Sequence, residues 1–220
     1  MTMMDYLPEF RDINVKALPP GHNVTLHAMK KNTIDGNLKI IYVGAVGHMY
    51  KIHKILSAIK KMDHCELIIC TRENEWQLHT EEYTSLLSPR VKIVHASGDD
   101  LAALYKEADV SCLFLEPNVY REFAQPVKLY EYIGFELPVI ATKNTLAGQF
   151  VEDNDIGWTI NYDELELHAL INKIIEAPEE ILQKRKNIIA IREKHTWEQR
   201  AKQVASDMKS IIGEANEISC

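Results

Sequence analysis

Short runs of apolar and β-branched residues alternate along this chain with segments of helical spacing: Leu38 to Gly44, Glu66 to Thr71, Val91 to His95, Val110 to Leu115, Pro138 to Thr142, and a weaker Gly157 to Ile160. Runs that are apolar almost throughout, such as Val110-Ser111-Cys112-Leu113-Phe114-Leu115, suit strands buried on both faces. Regular β-α alternation demands right-handed crossovers between parallel strands. Between the runs, His48 to Met62 sets Ile52, Ile55, Leu56 and Ile59 on one helical stripe, and Asn74 to Leu87 carries Trp76 and Tyr83 as packing residues. Gly98-Asp99-Asp100 opens Leu101 to Glu107, and Asp163 caps Glu164 to Glu176. The expected class is therefore α/β, a doubly wound, Rossmann-like parallel sheet of about six strands with helices on both sides. In such a sheet ligands bind beyond the carboxyl ends of the strands, so the loops after Val43, Val94, Leu115 and Thr142 are expected to line one crevice.

The two ends fit this domain less well. Residues 1–24, with an extended piece from Ile13 to Leu18 closed by Pro19-Pro20-Gly21, read as a linker or remnant of another domain, and residues 25–195 as the sheet domain. Residues 196–220 read as a helix with Ala201, Val204, Met208 and Ile212 on one stripe, packed on this domain or docked on a domain this chain lacks. Trp158 is expected to cover the sheet end. The basic run from Lys184 to Lys194 reads as a solvated face, with contact to anionic lipid as the lesser alternative.

Composition excludes several functions. With 220 residues and 46% apolar content the chain can bury a sizeable core. A net charge of -7 and a pI near 5.7, with bases scattered among acids, argue against a nucleic-acid partner. The uncharged stretch from Ile40 to Tyr50 is far short of the roughly 18 apolar residues of a membrane span, and no signal-peptide pattern opens the chain, so a cytoplasmic location is expected. Cys65, Cys70, Cys112 and Cys220 show no CxxC spacing, and Cys65 and Cys70 fall on opposite faces of one strand, so neither a disulfide nor a zinc site is expected. His48, His53, His64, His79 and His95 fall on separate elements without HxxxH spacing, and no metal or cofactor is expected.

The run Gln125-Pro126-Val127-Lys128-Leu129-Tyr130-Glu131-Tyr132-Ile133-Gly134 reads as a helix of about two turns, opened by Pro126 and ended by Gly134 in the left-handed conformation. Lys128 and Glu131 share a face about 4.5 Å apart along the axis, the span from a ribose to its first phosphate. Lys128 and the free amides of the first turn would meet phosphate, while Glu131 would accept from two ribose hydroxyls. On spacing alone an ordinary surface ion pair, worth a few tenths of a kcal/mol, is the favoured reading.

Together with Leu18-Pro19-Pro20-Gly21, Ile40-Ile41-Tyr42-Val43-Gly44, the stretch from Leu101 to Val110, Leu137-Pro138-Val139-Ile140-Ala141-Thr142, Ile156-Gly157 and Thr196-Trp197-Glu198, this helix resembles the carboxyl-terminal, donor-binding half of family-4 glycosyltransferases of the GT-B fold. The resemblance implies a retaining, metal-independent transfer from a UDP-, GDP- or ADP-sugar to a glycan or lipid-linked acceptor, in polysaccharide biosynthesis, in the cytoplasm or peripherally at the membrane. It implies that Glu131 holds the ribose, that Lys128 and the helix amides around Leu129 face the diphosphate, that Gly44 and Lys51 belong to the first phosphate loop, and that the loop at Ala96 frames the base. It also implies that the acceptor and catalytic groups belong to an amino-terminal domain, of which this chain carries only a tail, so that the chain alone binds donor without turnover.

The sequence departs from the family pattern at two places. Gly44 is followed by Ala45-Val46-Gly47 where relatives carry an arginine, so one charge is missing unless Lys54 substitutes. Phe123 stands where many relatives carry a second glutamate; Glu122, one residue off, reaches the sugar only if the loop shifts. Two other readings stand beside this one. A different nucleotide or dinucleotide enzyme on the same sheet is disfavoured by the absence of GxGxxG. A noncatalytic interaction module would keep the fold and bind a partner through exposed helices.

Overall fold

The computed structural model describes residue 7, residues 15–23 and residues 36–218, with side chains described as far as residue 210. Ile13, Ile212 as a packing residue, Cys220 and the boundary at residue 25 lie outside the described parts. Six parallel strands form one sheet in the order β3-β2-β1-β4-β5-β6: β1 Leu38–Val43, β2 Cys65–Cys70, β3 Val91–Val94, β4 Val110–Leu113, β5 Val139–Thr142 and β6 Gly157–Ile160. This is the expected doubly wound sheet, and the chain reverses its direction of progress between β1 and β4.

Side-chain alternation along each strand feeds two separate cores. On one face Leu38, Ile40, Tyr42 and Cys65 pack with helices α1 (His53–Lys60), α2 (Glu73–Tyr83) and α7 (Glu164–Glu176). On the other face Ile41, Val43 and Cys70 pack with α3 (Gly98–Glu107), α5 (Val127–Gly134) and α6 (Leu146–Asp153). Cys65 and Cys70 thus lie on opposite faces, and Cys65, Cys70 and Cys112 are buried free thiols. Burial pushes the Cys65 and Cys112 thiols up to about 12, which keeps them protonated and unreactive. Asp163 caps α7 as expected, accepting from the N–H groups of Leu165 and Glu166. Tyr83 is fully buried, its ring stacked 6.0 Å from that of Trp76. The indole of Trp158 is largely covered and donates to Glu180 at 2.9 Å.

Four local expectations change. The segment from His48 does not run as one helix: a 3-10 turn at His48–Tyr50 ends on extended Lys51, and α1 begins at His53. Gly134 is not the left-handed residue that ends α5. Glu136 takes that conformation (φ 56), with Glu136 N–H on the Ile133 carbonyl and Leu137 N–H on the Tyr132 carbonyl, the double bond of a Schellman ending. Gly134 is instead a close-approach residue, since a Cβ there would stand 2.8 Å from Nδ1 of His22.

The third change concerns the amino-terminal segment. His22 is only 5% exposed, its ring nitrogens meet the carbonyls of Asn23 and Arg192, and its backbone pairs with His195 and Trp197. A stretch expected as linker therefore seals the base of the domain. Lys16, Ala17 and Pro20 continue this contact along α9 (Trp197–Ile218) through Asp207, Gln203 and Arg200. The α9 stripe itself is not covered: Trp197, Val204 and Met208 are 47%, 39% and 58% exposed.

Fourth, the basic run is only partly a solvated face. On α8 (Glu179–Arg192), Arg185 and Arg192 are buried, Arg192 pairs with Glu136 at 2.5 Å, and Lys184 pairs with Asp155. Among the described residues no helix is long and apolar enough to cross a membrane.

Candidate donor-binding crevice

Beyond the carboxyl ends of the strands lies a crevice of about 860 Å³, a size that suits a small-molecule ligand. All four expected loops contribute, through Gly44 and Ala45 after β1, His95 and Ala96 after β3, Leu115 after β4, and Thr145 after β5. A fifth, unforeseen wall comes from Thr71 to Glu75 after β2. Gln125, Pro126, Val127 and Lys128 bring the start of α5 to the same space.

The residues of α5 are fixed from beneath. Tyr130, Tyr132 and Ile133 are fully buried, and the Tyr132 hydroxyl accepts from the Val43 N–H at 3.0 Å, tying the helix to the end of β1. Lys128 and Glu131 are left partly exposed, at 31% and 29% for their side chains, and Lys128 Nζ donates to Glu131 Oε2 at 2.7 Å. The Tyr105 hydroxyl donates to that same oxygen at 2.6 Å. Burial first, then the neighbouring Tyr132 and the bond to Glu131, raises the pKa of Tyr105, so it stays a donor. Both of these bonds fall on Oε2 and neither on Oε1. At the helix start, the Val127 and Lys128 N–H groups have no intrahelical acceptor and carry the positive end of the dipole.

Other expected site residues are placed differently. Gly44, Ala96 and Lys128 line the crevice; Glu131 is outside the lining and is linked to it only by its ion pair with Lys128. Leu129 is fully buried and its N–H donates to the Pro126 carbonyl, so it offers no group. Lys51 is exposed and outside the lining, as is the half-buried Glu122 on the short helix α4 (Val119–Phe123). Lys54 does not substitute for the missing arginine: its Nζ donates to the Tyr162 carbonyl at 2.6 Å and sits 4.3 Å from the centre of the Tyr162 ring.

Three crevice groups were not foreseen. Thr71 lines the crevice and is 6% exposed, and its buried hydroxyl oxygen has no hydrogen-bond partner among the described residues. Glu75 accepts from the Val46 N–H at 2.9 Å and reaches the Gly47 N–H at 3.4 Å. Arg121 on α4 is 8% exposed. No sequence pattern marks these residues, because each acquires its place from loops distant in the chain. Among the described residues no group of three or more His, Cys, Asp or Glu side chains is placed to hold a metal ion.

Residues 25–195 match the sequence model of the glycosyl transferases group 1 family, which spans more than half of the chain. The chain belongs to that family. The sheet and its helices also superpose on solved GT-B glycosyltransferases. These include HepE of Anabaena in complex with UDP (18% identity, TM-score 0.67, 80% of this chain and 49% of that one) and sucrose-phosphate synthase of Thermosynechococcus elongatus (19% identity, TM-score 0.72, 97% and 58%). WaaG, a glycosyltransferase of lipopolysaccharide biosynthesis, superposes with 14% identity and a TM-score of 0.63 over 88% of this chain and 57% of that one. The chain spans about half the length of HepE. No curated protein matches the sequence. In this group 1 glycosyltransferase domain the crevice opens beyond the carboxyl ends of the strands, where open α/β sheets bind ligands, and its lining includes Arg72, Arg121 and Lys128.

Proposed function

We propose that this chain is the donor-binding half of a retaining, metal-independent glycosyltransferase, holding a nucleotide-sugar by its ribose and diphosphate. The observation that carries the proposal is the Lys128–Glu131–Tyr105 cluster at the start of α5, beside a crevice that Lys128 lines. Glu131 Oε1 accepts from the ribose hydroxyls, while the first-turn amides and Lys128 face the diphosphate. As the glycosidic bond breaks, negative charge grows on the departing nucleoside diphosphate, and fixed donors stabilise it without reorganising. The base lies against the wall at Ala96. The HepE structures contain UDP or UDP-glucose, which favours a nucleoside diphosphate donor for this fold. The acceptor, a glycan or lipid-linked glycan, meets its own groups on a second domain, and the work takes place in the cytoplasm or at the membrane surface.

Calorimetric titration of UDP, GDP, ADP and NAD into the chain tests this reading. Binding of one nucleoside diphosphate in preference to NAD is expected. Preference for NAD would restore a dinucleotide enzyme, and binding of none of them would leave an interaction module with the exposed α9 stripe as its contact face.

A further inference from the structure

The crevice lacks the charge that the first loop usually brings, and the structure shows why that loop cannot supply it. Ala45 stands at the arginine position, its carbonyl occupied by the Tyr42 hydroxyl at 2.5 Å. The next two amides, of Val46 and Gly47, point at the Glu75 carboxylate, which would repel a phosphate there. The Gly44 N–H is spent on the Cys70 carbonyl at 3.0 Å. Lys54 is turned onto Tyr162.

Among the described residues three cations line the crevice. Arg72 is exposed, and Lys128 is paired with Glu131. Arg121 alone is buried, and no carboxylate pairs with it among the described residues. Its NH1 donates to the Glu116 carbonyl at 2.8 Å, its NH2 to the Met49 carbonyl at 2.5 Å, and its guanidinium lies 5.2 Å from the Tyr50 ring centre. These neutral partners fix the plane of the group and leave its charge uncompensated, in a setting where water screens little. A planar guanidinium with donors in hand suits phosphate oxygens, and Arg121 lines the same crevice as Lys128.

We propose that Arg121 supplies the positive charge against which the donor's diphosphate is held, in place of the first loop. This rests on the donor-binding reading above. It assigns recognition of the anion to the segment between β4 and α5, so that Arg121, Lys128 and the α5 amides act on one ligand, while Glu75 closes the first loop to phosphate.

The test is to measure UDP, GDP and ADP against their nucleosides with the wild-type chain, Arg121→Met and Arg121→Lys, using calorimetry for the diphosphates and ligand-observed NMR for the nucleosides. Arg121→Met keeps the stem over Tyr50 and removes the charge; it is expected to weaken the bound diphosphate roughly tenfold to a hundredfold and to change its nucleoside by less than about twofold. Equal losses for the two ligands, or no loss, would overturn the proposal and leave Arg121 as a tie between loops. If Arg121→Met does not fold, Arg121→Lys decides: lysine keeps the charge but not the planar fork, so the diphosphate-to-nucleoside affinity ratio is expected to fall about threefold to tenfold, and a ratio unchanged from wild type overturns the proposal. A wild-type chain that binds none of the three diphosphates overturns the donor reading, and this proposal with it.

Discussion

The two walls of the crevice are built from opposite materials. The loop after β1 offers small side chains, and the amides of Gly44, Val46 and Gly47 are already bonded within the protein, to Cys70 and Glu75. The segment from Arg121 to Glu131 brings two cations and a helix start to the crevice, with Glu131 beside them and the fully buried Tyr130 and Tyr132 beneath α5. In a phosphate-binding sheet fold the first loop is the customary anion site. Here that task is open to the second wall, whose groups are positioned by packing and not by a glycine-rich turn.

The largest expected effect contrasts how firmly the two walls are seated. In Gly134→Ala, beneath the second wall, the new methyl meets His22, which is buried between two carbonyl partners and cannot retreat. A loss of about 2–3 kcal/mol in denaturant unfolding is expected. In Gly47→Ala, on the first wall, the methyl meets the far end of the His79 ring, whose partner Glu82 is an exposed residue of the same helix. That ring can swing away, and a loss of less than about 1 kcal/mol is expected. Similar losses for the two variants would erase the contrast.

A second contrast concerns the lysines. Lys128→Met removes a cation that lines the crevice and is expected to weaken the selected nucleoside diphosphate about tenfold in calorimetry. Lys54→Met removes one engaged with Tyr162 and is expected to leave that affinity within about twofold. A larger effect from Lys54 would return the anion to the first wall.

The smallest effect concerns the support beneath the second wall. His195 packs against Tyr130 and Phe150, with ring centres 5.6 and 5.2 Å apart. Burial, then Arg200, His22 and Lys194, lowers its pKa to about 4 from the ordinary 6.5. The folded protein therefore holds a neutral imidazole that the unfolded chain protonates first. Its stability contribution is complete above pH 6.5 and is lost as pH falls through about 4. Melting temperature should fall across that window, and His195→Gln should flatten the fall; an unchanged slope in the variant would remove His195 from the account.

Strand number, sheet type and the place of the crevice were legible in the sequence, because fully buried parallel strands announce themselves as apolar runs and strand order then fixes where the loops converge. The Lys128–Glu131 pair was legible because both lie on one helix. What was not legible depends on partners far away in the chain. Gly134 looked like a helix end until His22 was seen against it, and Arg121 looked like any loop arginine until Met49 and Tyr50 closed over it. Tyr105 gave no sign that its hydroxyl would share Glu131 with Lys128. Lys51 shows the converse: position in the motif pointed to the crevice, and the extended backbone after the 3-10 turn leaves it outside.

The central claim is that Glu131 holds a ribose, and a two-by-two binding cycle tests it most directly. The nucleoside diphosphate that the chain binds and its 2′,3′-dideoxy analogue would be titrated into the wild type and Glu131→Ala. The account predicts that removing the hydroxyls costs the wild type about tenfold or more and costs Glu131→Ala almost nothing. An equal loss in both proteins would contradict it.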